Sequence, residues 1–253
     1  MENGYTRHGQ GKEKVLVLHD WLGDSRNYDP MLPYLDPHTF TYIFIDLRGY
    51  GKSKAIKGEY TVEESTADVI ALANSLEWDK FHLVGHSMSG MIVQRLAIDH
   101  KDRIKSLIAL TPVSASGLKV NDSSLRFFSN ISDEEHRRML LKNLWGSRLS
   151  HQWVEFKLQR WLESATNEAV RGYLTMYTQT NFAKDARGLQ LPIMVMVGQF
   201  DRDEYGVEAI KKTYIAWHPN VELNVCANAG HYPMQETPVY TATTIEDFLR
   251  RHF

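Results

Sequence analysis

The stretch DKFHLVGHSMSGM, Asp79 to Met91, decides how this chain is read. A short apolar run, Phe81 to Val84, enters the turn Gly-His-Ser-Met-Ser-Gly, and a helical pattern, SGMIVQRLAIDH, starts at Ser89. Serine and glycine are ordinary turn residues, so the motif alone leaves Ser87 open between a nucleophile and a turn serine. The context favours the first. A sharp strand-to-helix turn lifts a hydroxyl above the end of a sheet, and strand and helix then approach so closely that the residues two before and two after must be small. Gly85 fills the first of these positions and Ser89 the second, where glycine is usual.

Outward from this turn the chain repeats the arrangement. KVLVLHD (Lys14 to Asp20), TYIFIDLRGYGKS (Thr41 to Ser53), IKSLIALTPV (Ile104 to Val113), LPIMVMVGQFD (Leu191 to Asp201) and VELNVCANAGH (Val221 to His231) are apolar runs that end in turn residues. Such runs read as buried parallel strands. Helical patterns alternate with them: Thr61 to Leu76, opened by a Thr61/Glu64 capping box, Ser89 to His100, Asp203 to Trp217 and Thr237 to Phe253. The alternation predicts an α/β fold, a mostly parallel sheet with helices on both faces. Between Val113 and Leu189 no strand pattern occurs, only helical ones, over a length too great for one crossover. Residues 1–113 and 190–253 therefore read as the core, and 114–189 as a helical insertion that carries Phe127, Phe128, Trp145, Trp153, Phe156 and Trp161.

Composition narrows the function. With 43% hydrophobic and 24% charged residues over 253 positions, the chain reads as globular, and a formal net charge of -2 builds no basic nucleic-acid surface. Cys226 is the single cysteine, so an intrachain disulfide and a cysteine-rich metal site are both excluded. No His-Glu-x-x-His segment occurs, and RGYGKS (Arg48 to Ser53) lacks the spacing of a phosphate loop, its glycines being turn formers. The polar start and the lack of a long apolar run predict a cytoplasmic protein without a membrane span. No cofactor and no metal are expected.

A serine nucleophile needs a base in hydrogen-bond reach, an acid to orient the base, and donors aimed at the developing oxyanion. His231, after the last strand, would sit at the same sheet edge as Ser87, whereas His8, His100, His136, His151 and His218 read as surface residues. Asp201 comes first after its strand and is the expected acid, with Asp203 and Glu204 as rivals in the first turn of the next helix. The amide of Met88 is one expected oxyanion donor and that of Trp21, in LHDWLGDS, the other.

HDWLGD, DLRGYGKS, GHSMSG, GQFD and AGHYPMQETP, in this order, resemble the α/β-hydrolase superfamily, in its branch of small cap-bearing serine esterases and lactonases. The resemblance covers about Lys14 to Val113 and Leu191 to Phe253. It implies Ser87 as nucleophile, His231 as base, Asp201 as acid and oxyanion amides at Trp21 and Met88. The insertion would be a cap over a mainly apolar pocket lined by Trp21, Phe127, Phe128, Trp145, Trp153 and Trp161. Asp20 stands where the family usually has glycine and is expected to point away from the oxyanion and bond locally. The N-terminus is short, so one or two edge strands are expected to be missing. Relatives that cleave carbon–halogen bonds or epoxides carry aspartate at the turn, and Ser87 argues against both. The function implied is hydrolysis of a small hydrophobic carboxylic ester or lactone through an acyl-enzyme, by a monomer or homodimer. The alternatives are a C–C bond hydrolase of a diketone-type substrate, a ligand receptor, and a cofactor-free oxygenase on the same scaffold.

Overall fold

The computed structural model describes residues 2–130, 133–145 and 148–253. All six strands read from the sequence form: β2 (Glu13–Leu18), β3 (Phe40–Ile45), β4 (Phe81–His86), β5 (Ile104–Leu110), β6 (Ile193–Gly198) and β7 (Val221–Cys226). From β3 to β6 the strands are buried almost throughout, which is why their patterns are continuous runs and not alternations. A seventh strand, β1 (Tyr5–His8), was not expected. Its half-exposed polar sequence carries no strand signal, and it forms because its backbone pairs antiparallel with β3, from Tyr5 opposite Ile45 to His8 opposite Tyr42.

The sheet order is β1-β3-β2-β4-β5-β6-β7, and every pairing except β1 with β3 is parallel. From β2 the chain moves one way to β3, then returns past β2 to β4 and continues outward. The reversal falls between β2 and β4, and ligands gather at the carboxyl ends of strands beside such a switch point. The loops that follow these two strands carry Trp21 and Ser87.

Helix α1 (Val62–Ser75) starts as expected, with Thr61 Oγ1 accepting the amide of Glu64 at 3.1 Å. The capping box is only half made, because the Glu64 carboxylate turns back to the amides of Glu59 and Tyr60, both 2.9 Å away. Helix α2 (Ser89–Asp99) packs on β4 and β5. Between β5 and β6 lie α3 (Asp122–Ser129), α4 (Glu134–Trp145), α5 (His151–Ser164), α6 (Asn167–Gln179) and the short α7 (Ala183–Ala186). The short α8 (Val207–Ile210) runs into a wider π turn over Lys211–Ile215. The chain closes with α9 (Pro233–Glu236) and α10 (Pro238–Arg250). No helix among the described residues is long and apolar enough to cross a membrane.

His218 departs from the surface role expected of it. It is buried between Tyr214 and Trp217, and its Nε2 accepts from Gln94 Nε2 at 3.2 Å. Gln94 is fixed in turn by accepting the Ala115 amide at 2.7 Å. Burial depresses the pKa of His218 to about 4 and that of His86 to about 3, and also lowers that of His82. These rings fold neutral. As pH falls below the unfolded value of about 6.5, the unfolded chain takes up protons that the folded chain refuses, so stability falls. Urea melts at pH 7, 6 and 5 are expected to show unfolding free energy dropping toward pH 5, by up to about 1.4 kcal/mol per pH unit for each such histidine. In His218→Phe the dependence should be shallower, one of these groups being gone. A flat profile from pH 7 to 5 would contradict this account.

Candidate active site

Ser87 occupies the left-handed region, with φ +53°, a conformation an L-residue keeps only where its surroundings enforce it. They do so here from both sides. Its amide donates to the Leu110 carbonyl at 2.9 Å, and its own carbonyl accepts from Gly90 at 2.9 Å and Val113 at 2.8 Å. A Cβ on Gly85 would lie 2.5 Å from the Ser89 carbonyl oxygen, so the first small position must be glycine. At the second, the Ser89 hydroxyl donates to the His19 carbonyl at 2.5 Å. The serine in place of glycine thus ties the turn to the loop after β2.

The structure brings Ser87, His231 and Asp201 together. His231 Nε2 is 3.0 Å from Ser87 Oγ, and His231 Nδ1 is 2.9 Å from Asp201 Oδ2 and 3.2 Å from Oδ1. With the carboxylate accepting at Nδ1, the neutral ring carries its proton there and offers the Nε2 lone pair to the serine hydroxyl. Both side chains are buried. The rivals stand elsewhere: Asp203 is exposed and Glu204 pairs with Arg202 at 2.8 Å. The loops bearing Asp201 and His231 pack so tightly that a Cβ on Gly198 would lie 2.0 Å from the Gly230 carbonyl oxygen.

His231 is three strands from Ser87 in sheet order, and its loop is drawn back across the strand ends by several anchors. Its carbonyl accepts from His86 Nε2 at 2.8 Å and Thr111 Oγ1 at 3.1 Å. The carboxylate of Glu236 accepts the flanking amides of Gly230 and Tyr232 at 2.9 and 3.1 Å, and Arg148 pairs with it.

The loop after β2 is held as firmly. His19 is buried and its Nε2 accepts the Leu47 amide at 3.1 Å, so its Nδ1 carries the proton and donates to the Asp20 carbonyl at 2.7 Å. A trans peptide sets N–H opposite C=O, so fixing that carbonyl fixes the direction of the Trp21 amide. Tyr50 donates to the Trp21 carbonyl at 2.9 Å, and the indole N–H reaches Val170 at 2.7 Å. Among the described residues, neither the Trp21 amide nor the Met88 amide, at the start of α2, donates to a protein acceptor. Both are free for an anion, as the oxyanion role requires.

A cleft of about 120 Å³ opens over Ser87. Of the expected lining residues, Trp21 and Phe128 border it. Phe127 faces an outer groove that joins the cleft at Phe128, Leu140 and Arg202. Trp153 and Trp161 do not border it. Trp161 belongs to the buried stripe of α5, with Val154, Lys157 and Leu158, and packs behind Trp21 at 5.8 Å; Trp153 lies edge-on to Tyr232. The side chain of Trp145 lies outside the described residues. The wall is built instead by the segment Leu118 to Ser124, by Tyr177, and by Arg202, Glu204 and Tyr205 from the acid loop. The lining is accordingly not mainly apolar, since Lys119, Asn121, Arg202 and Glu204 share it. Arg126 is exposed and does not line it.

Tyr205 escaped sequence reasoning. It is buried with its ring centroid 4.4 Å from that of His231. Its only signal is its position four residues after Asp201. Among the described residues, no cluster of three His, Cys, Asp or Glu side chains could hold a metal ion.

The model of the α/β-hydrolase fold matches residues 14–146, more than half of the chain, and the chain belongs to that family. The pimeloyl-[acyl-carrier protein] methyl ester esterase of Legionella pneumophila (strain Lens) is 25% identical over 252 residues, covering 96% of this chain and 98% of its own. The 2-succinyl-6-hydroxy-2,4-cyclohexadiene-1-carboxylate synthase of Enterobacter sp. (strain 638) is 29% identical over 266 residues, covering 98% and 96%. The crystal structure of a bromoperoxidase from Bacillus anthracis superposes with a TM-score of 0.85 at 22% identity, over 97% of this chain and 94% of that one. That likeness concerns the fold.

Proposed function

We propose that the chain is a serine hydrolase that cleaves a small carboxylic ester or lactone through an acyl-enzyme. The observation that carries this reading is the hydrogen-bonded line Ser87–His231–Asp201 beneath two free amides. His231 Nε2 takes the hydroxyl proton as Ser87 Oγ bonds to the substrate carbonyl carbon, and the Trp21 and Met88 amides receive the oxyanion. As the carbonyl reforms, the alkoxide leaves and collects that proton from His231. Water then attacks the acyl-serine with His231 again as base, releasing the acid and restoring Ser87. A relative named as a methyl ester esterase along nearly the whole chain supports the ester class. The cleft's size suits a compact acyl group, and its polar mouth tolerates a hydrogen-bonding substituent.

A fluorophosphonate probe tests the reading. Intact mass is expected to rise by one adduct, with peptide mapping placing it on Ser87. Labelling should abolish turnover in a panel of 4-nitrophenyl acetate, butyrate and octanoate and γ-butyrolactone, with products identified by mass spectrometry. Turnover that persists after full labelling would refute the acyl-enzyme.

A further inference from the structure

Asp20 poses a chemical problem. It follows His19 in the oxyanion loop, where the resembling family usually has glycine, and it is among the residues that border the cleft. A bare negative charge there would oppose the oxyanion that the neighbouring amides should stabilise. The carboxylate is fully engaged instead. It accepts the Leu22 amide at 3.1 Å, Asn27 Nδ2 at 2.6 Å and the Tyr232 hydroxyl, and it lies 3.8 Å from the His86 ring. Asn27 presents its other face, Oδ1, to Lys157 Nζ at 2.7 Å.

Lys157 belongs to α5, within the helical segment between β5 and β6, and is wholly buried. A buried ammonium persists only when compensated. This one lies 4.1 Å from the Tyr232 ring centroid and bonds to Asn27, which passes the contact on to Asp20. Two buried charges of opposite sign, from the oxyanion loop and from a distant helix, thus meet through one amide.

We propose that Asp20, Asn27 and Lys157 form a positioning relay that holds the Trp21 amide toward the oxyanion, with Lys157 cancelling the charge of the Asp20 carboxylate. The relay rests on the serine-hydrolase reading. Asp20 shapes the loop around Trp21 through the Leu22 amide, and His19 holds the carbonyl before Trp21, so the donor is set from both sides. Removing Lys157 alone leaves Asn27 Oδ1 held only by Gln235 Nε2, 3.1 Å away, and the carboxylate buried without its counter-charge. Removing Asp20 as well removes the offending charge.

Titration provides a second handle. Burial lowers the pKa of Lys157, Asp20 restores part of it, and the result is about 8. The charged and titratable groups that face it are Asp20 and Tyr232, Asp24 beyond Asn27, and Arg160 one turn along α5, with His86 behind Asp20. Above pH about 8 the ammonium loses its proton and the carboxylate its counter-charge.

The test uses 4-nitrophenyl acetate and five proteins: wild type, Lys157→Met, Asp20→Asn, the double variant and Ser87→Ala, each checked for folding by near-ultraviolet circular dichroism. Lys157→Met is expected to lower kcat by about 30-fold with KM within about twofold, the pattern of a lost transition-state interaction. The double variant is expected to run at least about fivefold faster than Lys157→Met, because the uncompensated charge is gone. A folded Lys157→Met with wild-type kcat, or a double variant no faster than Lys157→Met, would overturn the relay. Should Lys157→Met fail to fold, the pH profiles decide. Wild-type kcat should fall above pH about 8 and that of Asp20→Asn should not; equal profiles overturn the proposal. Ser87→Ala separates the two ideas: turnover lost there while Lys157 proves indifferent leaves the hydrolase reading standing and ends the relay, whereas turnover that survives it ends the hydrolase reading.

Discussion

Ser87→Ala is expected to lower kcat for 4-nitrophenyl acetate at least about 10³-fold while leaving the fold and the melting temperature close to wild type. The loss follows from the chemistry, since no other hydroxyl stands 3.0 Å from His231 Nε2 among the described contacts. The small effect on stability follows from the site. The Ser87 backbone is fixed by Leu110, Gly90 and Val113, and none of these bonds uses the side chain. The residual rate should come from the two oxyanion amides and from binding. Steady-state kinetics on protein purified away from host esterases checks this, and a variant within tenfold of wild type would remove Ser87 from the chemistry.

Asp201→Asn is expected to cost nearly as much, about 10³- to 10⁴-fold in kcat at pH 7. The carboxylate can only accept, so it keeps the ring proton of His231 on Nδ1. An asparagine can turn its NH₂ to that nitrogen, which drives the proton to Nε2 and leaves Ser87 facing a donor where it needs a base. The substitution preserves volume, so binding should barely change and KM should stay within about threefold. Asp203→Asn is the matched control, an exposed carboxylate two residues away, and should stay within about twofold of wild type. Equal losses in the two variants would point to a general charge effect on the loop and away from the tautomer argument.

The fold was legible wherever burial wrote itself into the residue types. Runs such as IMVMV and YIFI admit few readings once turn residues bound them, and the chain order Ser87, Asp201, His231 points to three groups at one sheet edge. β1 was not legible, because an edge strand that owes its existence to β3 needs no apolar pattern of its own. Nor was the cleft wall. Phe128 and Trp161 are equally aromatic in the sequence, and only the direction in which α5 turns its stripe shows that Trp161 packs behind Trp21 while Phe128 borders the cleft. Asp20 was expected to bond locally, and two of its contacts are local. The Tyr232 hydroxyl supplies a distant one, and further support arrives through Asn27 from Lys157, 130 residues beyond Asn27, at a lysine that composition alone would place on the surface.

The helical segment is moored to the core at opposite sides of the cleft. Arg148 grips Glu236 and the Asn228 carbonyl beside the base loop, Lys157 reaches Asn27 beside the oxyanion loop, and Thr166 donates to the Gly49 carbonyl at 2.9 Å on the far flank. Three polar ties thus fasten residues 148–166 to the core. The outer groove meets the cleft at Ser124, Phe128, Leu140 and Arg202. That junction bears an arginine among apolar side chains, so any molecule passing it meets a guanidinium before it meets Ser87.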